Sequence, residues 1–198
     1  KLHAEIRKLG ILENNPYLAS ALINMYAKCG IFSKAKQVLE ELPVRNAVPW
    51  NALISGYAQQ GQSDEALNCF GKMQQEGIPP DAFTFTSILK ACGSTGNIVK
   101  GERIHDELVS RDLLSNDVVL GTALVDMYAK CGVLKKAQEV HDRLNVRSEV
   151  SWNALISGYV MQGKSYSALE CLEQMQGEGF LPDIVTFICI LKACGTLG

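Results

Sequence analysis

The chain has 198 residues, 47% of them apolar and 20% charged, with a formal net charge of −2 at neutral pH. That length and composition suit one globular domain or a string of smaller units with well-buried cores. No apolar run approaches the roughly 18 residues needed to span a bilayer, which excludes a transmembrane helix, and the slight negative charge gives no general electrostatic pull on nucleic acid.

The opening residues, KLHAEIRKLG, lack the apolar centre and cleavage site of a secretory signal and read as the middle of a helix. Three related stretches follow: SALINMYAKCG (Ser20–Gly30), NALISGYAQQG (Asn51–Gly61) and TSILKACGSTG (Thr86–Gly96). Each opens on a small polar residue, enters an apolar stretch and reaches Gly ten residues on, and TALVDMYAKCG carries the pattern on from Thr122. The offsets between them are 31, 35 and 36 residues, together 102. A gap-free alignment of residues 18–96 with 120–198 gives 45 identities in 79 positions, and WNALISGY stands unchanged at Trp50–Tyr57 and Trp152–Tyr159. The chain is therefore a triplet of unequal units used almost twice, the signature of a repeat architecture.

Each unit reads as a helical hairpin. Trp50, Leu53, Ile54 and Tyr57 fall at i, i+3, i+4, i+7, one apolar helix face ended by Gly61. Ser63-Asp64-Glu65 supplies cap-type and acidic residues to open the next helix. Ala66, Leu67, Phe70 and Met73 form its stripe, Gly77 stops it, and Pro79 and Pro80 forbid continuation. Two such helices bury little alone, whereas stacked neighbours bury a continuous core. No segment alternates with period two for long enough to make a sheet. The fold expected is all-α, an α-solenoid of helix-turn-helix repeats.

The seven cysteines contain no CxxC, and six of them form pairs at the 102-residue spacing, Cys29/Cys131, Cys69/Cys171 and Cys92/Cys194. They read as small buried residues copied with their segments in a reducing compartment, with no metal or other cofactor implied.

The Trp unit partly fits the tetratricopeptide pattern through Trp50, Leu53, Tyr57, Ala66 and Phe70, but Ile54 and Met73 depart from it and the period is not 34. The whole chain resembles the pentatricopeptide repeat family more closely. AVPWNALISGYAQQGQSDEALNCFGKMQQEGIPPD (Ala47–Asp81) looks like a complete 35-residue motif, and Glu149–Asp183 is a second. The unequal lengths resemble the PLS subclass, which alternates standard, long and short motifs and is known chiefly from land-plant organelle proteins. On that resemblance residues 1–15 end a long motif, 16–46 are short, 47–81 standard, 82–117 long, 118–148 short and 149–183 standard, and 184–198 begin another long motif. Both ends fall inside a motif, so a longer protein is expected.

The resemblance implies a right-handed superhelix that reads single-stranded RNA at one base per motif. In the family the readers are the fifth and last residues of a motif. Here the fifth residues are Ser20, Asn51, Thr86, Thr122, Asn153 and Ile188, and the last are Asn46, Asp81, Asp117, Ser148 and Asp183. Short amide, hydroxyl and carboxylate side chains suit a Watson–Crick edge, because they both donate and accept and lose little entropy when fixed. The competing role for Asn51 is a helix N-cap; Pro49 and Trp50 before it argue for an earlier start. For Asp81 and Asp183 it is a turn residue after Pro. By the family's code Asn with Asp implies uracil, at Asn51/Asp81 and Asn153/Asp183, and Ser20 with Asn46 implies adenine. Thr86 with Asp117 would imply guanine, though long motifs follow the code poorly. Thr122 with Ser148 departs from the pattern and suggests a purine, and Ile188 has no group with which to read. The five complete motifs thus spell 5′-A-U-N-R-U-3′, with R a purine.

The second residues, Tyr17, Val48, Phe83, Val119, Val150 and Val185, resemble the family's apolar clamps around each base, with packing between repeats as the alternative. Lys28 and Lys130 are candidates for phosphate contact. Many relatives of this subclass end in a cytidine deaminase-like domain, whose zinc needs H-x-E followed by P-C-x-x-C. HAE at His3–Glu5 and HDE at His105–Glu107 match the first half, lie 102 residues apart, and find no PCxxC, so they read as decoys. His141 stands where the first short motif has Leu39 and reads as a tolerated helix residue. The segment is therefore expected to be non-catalytic. It reads as the recognition tract of a mitochondrial or chloroplast C-to-U RNA-editing factor, with auxiliary editing proteins docking on the long motifs. The rival reading is a protein-binding scaffold of tetratricopeptide type.

Overall fold

The computed structural model describes residues 2–12, 15–115 and 117–197; Lys1, Glu13, Asn14, Asn116 and Gly198, which the motif division includes, lie outside the described residues. Among the described residues there are twelve α-helices and no strand. They are α1 (Leu2–Lys8), α2 (Pro16–Lys28), α3 (Phe32–Glu40), α4 (Ala47–Gln59), α5 (Ser63–Gln75) and α6 (Ala82–Thr95). Then come α7 (Ile98–Ser110), α8 (Val118–Lys130), α9 (Leu134–Arg143), α10 (Glu149–Met161), α11 (Ser165–Gly177) and α12 (Ile184–Leu197). The all-α expectation holds.

The chain divides into two compact units, residues 1–91 and 92–198, the division falling inside α6. In the first unit α2 packs on its hairpin partner α3 and on α4, and α4 packs on α5. In the second, α8 packs on α7, α9 and α10, and α10 packs in turn on α9, α11 and α12.

Tight glycine turns end eight of these helices, α1, α2, α4, α5, α6, α8, α10 and α11. At Gly61, φ is +73°, a backbone that L side chains rarely adopt. The Gln62 N–H then reaches back to the Tyr57 carbonyl at 2.9 Å, closing α4 as a Schellman-type turn. Helix α5 does open at Ser63, with Asp64 and Glu65 in its first turn. Ser63 is not its cap, however: Gln62 holds that position without a side-chain bond, and Ser63 is a buried first-turn residue.

The single apolar face expected for α4 is too narrow. Every residue from Pro49 to Ala58 is buried, Asn51 and Ser55 included. Helix α10 shows why, since it has neighbours on opposite sides, α8 and α12, as well as its hairpin partner α11. The Gly of WNALISGY permits the close approach between first helices. A Cβ on Gly56 would lie 2.6 Å from the Ala27 Cβ of α2, and one on Gly158 would lie 2.6 Å from the Ala129 Cβ of α8. Trp50, Leu53, Ile54 and Tyr57 are all buried, with Tyr57 stacked on Phe32 at 4.0 Å between centroids.

An arginine latch holds the connection from α3 to α4 and the one from α9 to α10. Arg45 donates from Nε to the Leu39 carbonyl and from Nη1 to Glu76, the residue that caps the C-terminus of α5, at 2.6 Å. Arg147 repeats both contacts with the His141 carbonyl and Glu178, the C-cap of α11. Each arginine immediately precedes a candidate reader, Asn46 or Ser148, and so fixes where the next first helix begins.

Candidate nucleic-acid interface

Asn51 lies in the body of α4, four residues beyond its first residue, and is not a cap. Its carboxamide is 8% exposed and needs partners to be held there. It finds them in the next connection. Its Nδ2 donates to both carboxylate oxygens of Asp81, at 3.0 and 2.8 Å, while its Oδ1 accepts from the Thr84 hydroxyl at 2.5 Å. Asp81 in turn caps the start of α6: its Oδ1 accepts from the Thr84 N–H at 2.9 Å, and its own N–H donates to Thr84 Oγ1 at 3.2 Å. Hydrogen bonds to a charged group of this kind are worth about 1.5–3 kcal/mol each.

The second unit repeats the cluster bond for bond. Asn153 donates to Asp183 at 3.0 Å to each oxygen, and Thr186 donates to Asn153 Oδ1 at 2.6 Å. Thr186 N–H and Oγ1 both reach Asp183 Oδ1, and the Asp183 N–H returns to Thr186 Oγ1. The Asp183 carboxyl is held below the usual carboxylate range, first by the Thr186 backbone N–H and then by the Thr186 hydroxyl and the Asn153 amide. Both Asp side chains are exposed, so each cluster presents a carboxylate edge to solvent beside a mostly buried amide.

The other candidate readers bond locally. Ser20 donates to the Tyr17 carbonyl at 2.9 Å, and Thr86 to the Ala82 carbonyl at 2.8 Å. Asn46 and Asp117 cap α4 and α8, accepting from the N–H groups of Val48, and of Val119 and Leu120. Ser148 forms a reciprocal capping box with Ser151 at the start of α10, and Thr122 is half-buried in α8. All five last residues thus sit at helix starts, a role the sequence reading gave to none of them. The legible signal was D-x-x-T at Asp81–Thr84 and Asp183–Thr186, a polar cap answered three residues on.

Among the second residues Tyr17, Phe83, Val119, Val150 and Val185 are exposed, Tyr17 at 74%, while Val48 is half-buried. An exposed apolar side chain at the first turn is free to meet a base and is not spent on packing between repeats. Ile188 is also exposed. The two lysines differ, since Lys28 is exposed but Lys130 is ion-paired with Asp126 at 2.6 Å, one turn back on the same helix.

The H-x-E histidines have positive roles that spacing did not reveal. His3 Nδ1 pairs with the Tyr26 hydroxyl at 2.9 Å, and His105 Nδ1 with that of Tyr128 at 2.9 Å, each 23 residues on. Burial holds the His105 pKa below its ordinary value. His141 is fully buried against Trp152, ring centroids 4.2 Å apart, with neither ring nitrogen hydrogen-bonded. Burial pushes its pKa down to about 4. It is a helix residue, as read, and takes the core place that Leu39 holds in the first copy. Burial likewise pushes the thiols of Cys69 and Cys92 up to about 11 and that of Cys171 to about 12, so they stay protonated as packing groups. Cys29 and Cys194 are exposed, against the expectation for copied core positions. Among the described residues no cluster of three or more His, Cys, Asp and Glu is placed to hold a metal.

Comparison with known proteins gives one consistent result. A model of the PPR repeat family matches residues 45–94 and 147–196, and one of the PPR repeat matches 18–46, 83–113 and 122–147. A chloroplastic pentatricopeptide repeat-containing protein of Arabidopsis thaliana is 42% identical over 197 residues, 100% of this chain and 32% of the relative. A mitochondrial one from the same plant is 38% identical over 193 residues, 98% of this chain and 19% of the relative. The chain thus spans about a third or less of these proteins. Among solved structures, the pentatricopeptide repeat protein PPR10 in complex with an 18-nt psaJ RNA element matches with a TM-score of 0.75 at 21% identity, over 96% of this chain and 29% of that one. The nuclear protein-only RNase P 2 of Arabidopsis matches at 0.67 and 16%, over 90% and 42%. These two likenesses establish the helical-repeat fold.

Proposed function

Because the chain belongs to the pentatricopeptide repeat family, we propose that it binds single-stranded RNA sequence-specifically, one base per motif. The observation that carries this reading is the fifth-to-last residue pairing: Asn51 with Asp81 and Asn153 with Asp183 meet side chain to side chain, twice, with one edge open to solvent. The exposed second residues support it, as does the RNA held by PPR10. First helices that open at Pro16, Ala47, Ala82, Val118, Glu149 and Ile184 support the motif division at 16–46, 47–81, 82–117, 118–148, 149–183 and 184–198.

On this reading Asn51/Asp81 and Asn153/Asp183 select uracil, Ser20/Asn46 selects adenine, and Thr122/Ser148 favours a purine, giving 5′-A-U-N-R-U-3′. Thr86/Asp117 belong to a long motif and leave the third base open. Tyr17, Val48, Phe83, Val119, Val150 and Val185 clamp the bases, and a base stacked on Tyr17 or Phe83 gains about 1–3 kcal/mol. Lys28 is the better placed phosphate contact, because Lys130 must first leave Asp126. The unequal motif lengths favour the PLS subclass, and with it the recognition tract of an organelle C-to-U editing factor whose catalysis lies outside this segment. Auxiliary editing proteins would dock on the long motifs. Relatives named as chloroplastic and mitochondrial support an organelle location.

Binding of the chain to single-stranded RNA carrying A-U-N-R-U, and to base-substituted versions, tests the reading. Asn51→Ser combined with Asp81→Asn should move preference at the second base from U toward A, by about tenfold. Unchanged U preference in that variant refutes the pairing. Absence of RNA affinity even at low salt favours the protein-binding scaffold instead.

A further inference from the structure

The Asn51 and Asn153 clusters each contain a third side chain that no reading of fifth and last residues includes. Thr84 and Thr186 are both fully buried, and each stands third in the motif after the asparagine's own. The Thr84 hydroxyl accepts from the Asp81 N–H, and its one proton has two acceptors in reach, Asn51 Oδ1 at 2.5 Å and Asp81 Oδ1 at 2.9 Å. The Asp81 carboxylate only accepts, so the NH2 end of the Asn51 amide must face it. The Thr84 hydroxyl satisfies the other end. Two different residues therefore pin the two ends of one planar group, and the same holds for Asn153 between Asp183 and Thr186.

The two carboxylate oxygens lie close together as seen from Nδ2 and share one amide hydrogen, so the pinning leaves the other hydrogen and one carbonyl lone pair unbonded, in a fixed left-to-right order. Uracil presents a ring N–H donor beside carbonyl acceptors, whereas cytosine presents a ring nitrogen acceptor beside an amino donor. The two edges are reversed in polarity. A half-turn of the asparagine amide exchanges its donor and acceptor positions, and so converts a complement of one pyrimidine into a complement of the other. We propose that Thr84 and Thr186 are positioning residues that hold Asn51 and Asn153 in one flip state and thereby separate uracil from cytosine. This inference rests on the base-reading function proposed above.

The other joints supply the contrast. Pro49, Leu120 and Ser151 stand where Thr84 and Thr186 do. Pro49 and Leu120 have no hydroxyl, and the Ser151 hydroxyl is engaged by Ser148. The fifth residue before Pro49, Ser20, bonds within its own helix. The double tether thus accompanies the two asparagines and no other reader.

The test uses the full 198-residue chain and fluorescence anisotropy with A-U-N-R-U RNA bearing U or C at the second or the fifth base. Thr84→Val keeps the shape and removes the hydroxyl. It should lower the U-over-C ratio at the second base by about three- to tenfold, the loss of one hydrogen bond, and leave the ratio at the fifth base unchanged. Thr186→Val should do the converse, and it decides the matter alone if Thr84→Val fails to fold. Thr84→Ser should keep the unsubstituted ratio. A uniform loss of affinity with the ratio intact, or a Ser variant that behaves like Val, overturns the inference while the base-reading function stands. An unsubstituted chain with no U preference at either base removes both.

Discussion

The two copies of the 102-residue repeat differ most where their cores should be most alike. Leu39 in α3 is an ordinary buried aliphatic residue. Its counterpart His141 is equally buried but brings two ring nitrogens without hydrogen bonds against Trp152, with Nδ1 3.9 Å from Asp142 Oδ1. The polar clusters at Asn51 and Asn153, by contrast, are copied bond for bond. A helical-repeat scaffold tolerates a polar group without hydrogen bonds at a single contact between α9 and α10, because each unit answers only to its neighbours. The joints at Asp81 and Asp183 are copied without such latitude, since their bonds place both the next helix and the candidate reader.

That contrast is sharpest in acid. His141 titrates at about 4 when folded, against an ordinary value near 6.5. The unfolded chain therefore takes up a proton as pH falls through 6.5 while the folded chain does not, so folding loses stability from there down to about pH 4. Over that span the loss is on the order of 3 kcal/mol. Amide hydrogen exchange in α9 and α10, taken relative to the intrinsic rate of an unstructured chain at each pH, should accelerate between pH 7 and pH 5, while α3 and α4, built around Leu39, should not follow through this mechanism. His141→Leu should abolish the acceleration and stabilise the second unit by about 1–3 kcal/mol even at neutral pH. Equal acid sensitivity in both copies would show that the histidine is not its source.

Smaller, and of the same sign in both copies, is the effect of filling the helix crossings. Gly56→Ala forces a Cβ to within 2.6 Å of the Ala27 Cβ. Gly158→Ala meets Ala129 at the same distance and also Leu134 Cδ2 at 3.1 Å and the Ala129 backbone at 3.3 Å. Overpacking of this sort costs about 1–3 kcal/mol, and Gly158→Ala should lie at the upper end. Urea unfolding followed by Trp50 and Trp152 fluorescence measures both. Comparable stability in the two variants and the parent would mean that the first helices slide apart freely.

Much of this was legible in the residues. The 3.6-residue period and the glycine stops were enough to give the hairpins, and Pro49 and Trp50 placed Asn51 inside a helix and not at its cap. What escaped was every contact whose partners lie far apart in sequence. Periodicity reports which face is apolar, but not that α4 is covered on all sides. Asn51 and Asp81 could be paired only through family resemblance, and Thr84 lay outside that pairing altogether. The Leu134, Ala137, Val140, His141 stripe held the clue to a buried histidine, yet a polar residue on an apolar stripe reads equally well as an edge position. His3 and His105 drew notice as zinc-signature fragments, when the repeated tyrosine 23 residues on was the informative companion.

The smallest expected difference lies at the starts of α4 and α10. Asn46 caps α4 with one bond, to the Val48 N–H, and Pro49 occupies the position from which a capping box would be answered. Ser148 caps α10 and is answered by Ser151, so that the N–H groups of Ser148 and Ser151 are both satisfied. Losing a cap costs about 0.5–2 kcal/mol. Asn46→Ala should fall in the lower half of that range and Ser148→Ala in the upper half, read as hydrogen exchange in the first turns of α4 and α10. Ser148→Asp should stay within about 0.5 kcal/mol of the parent, because Asp caps as well as Ser does. The Asp variant restores at this joint the carboxylate found at Asp81 and Asp183 without disturbing the fold, and a large destabilisation would mean that the box, and not the cap, holds α10 in place.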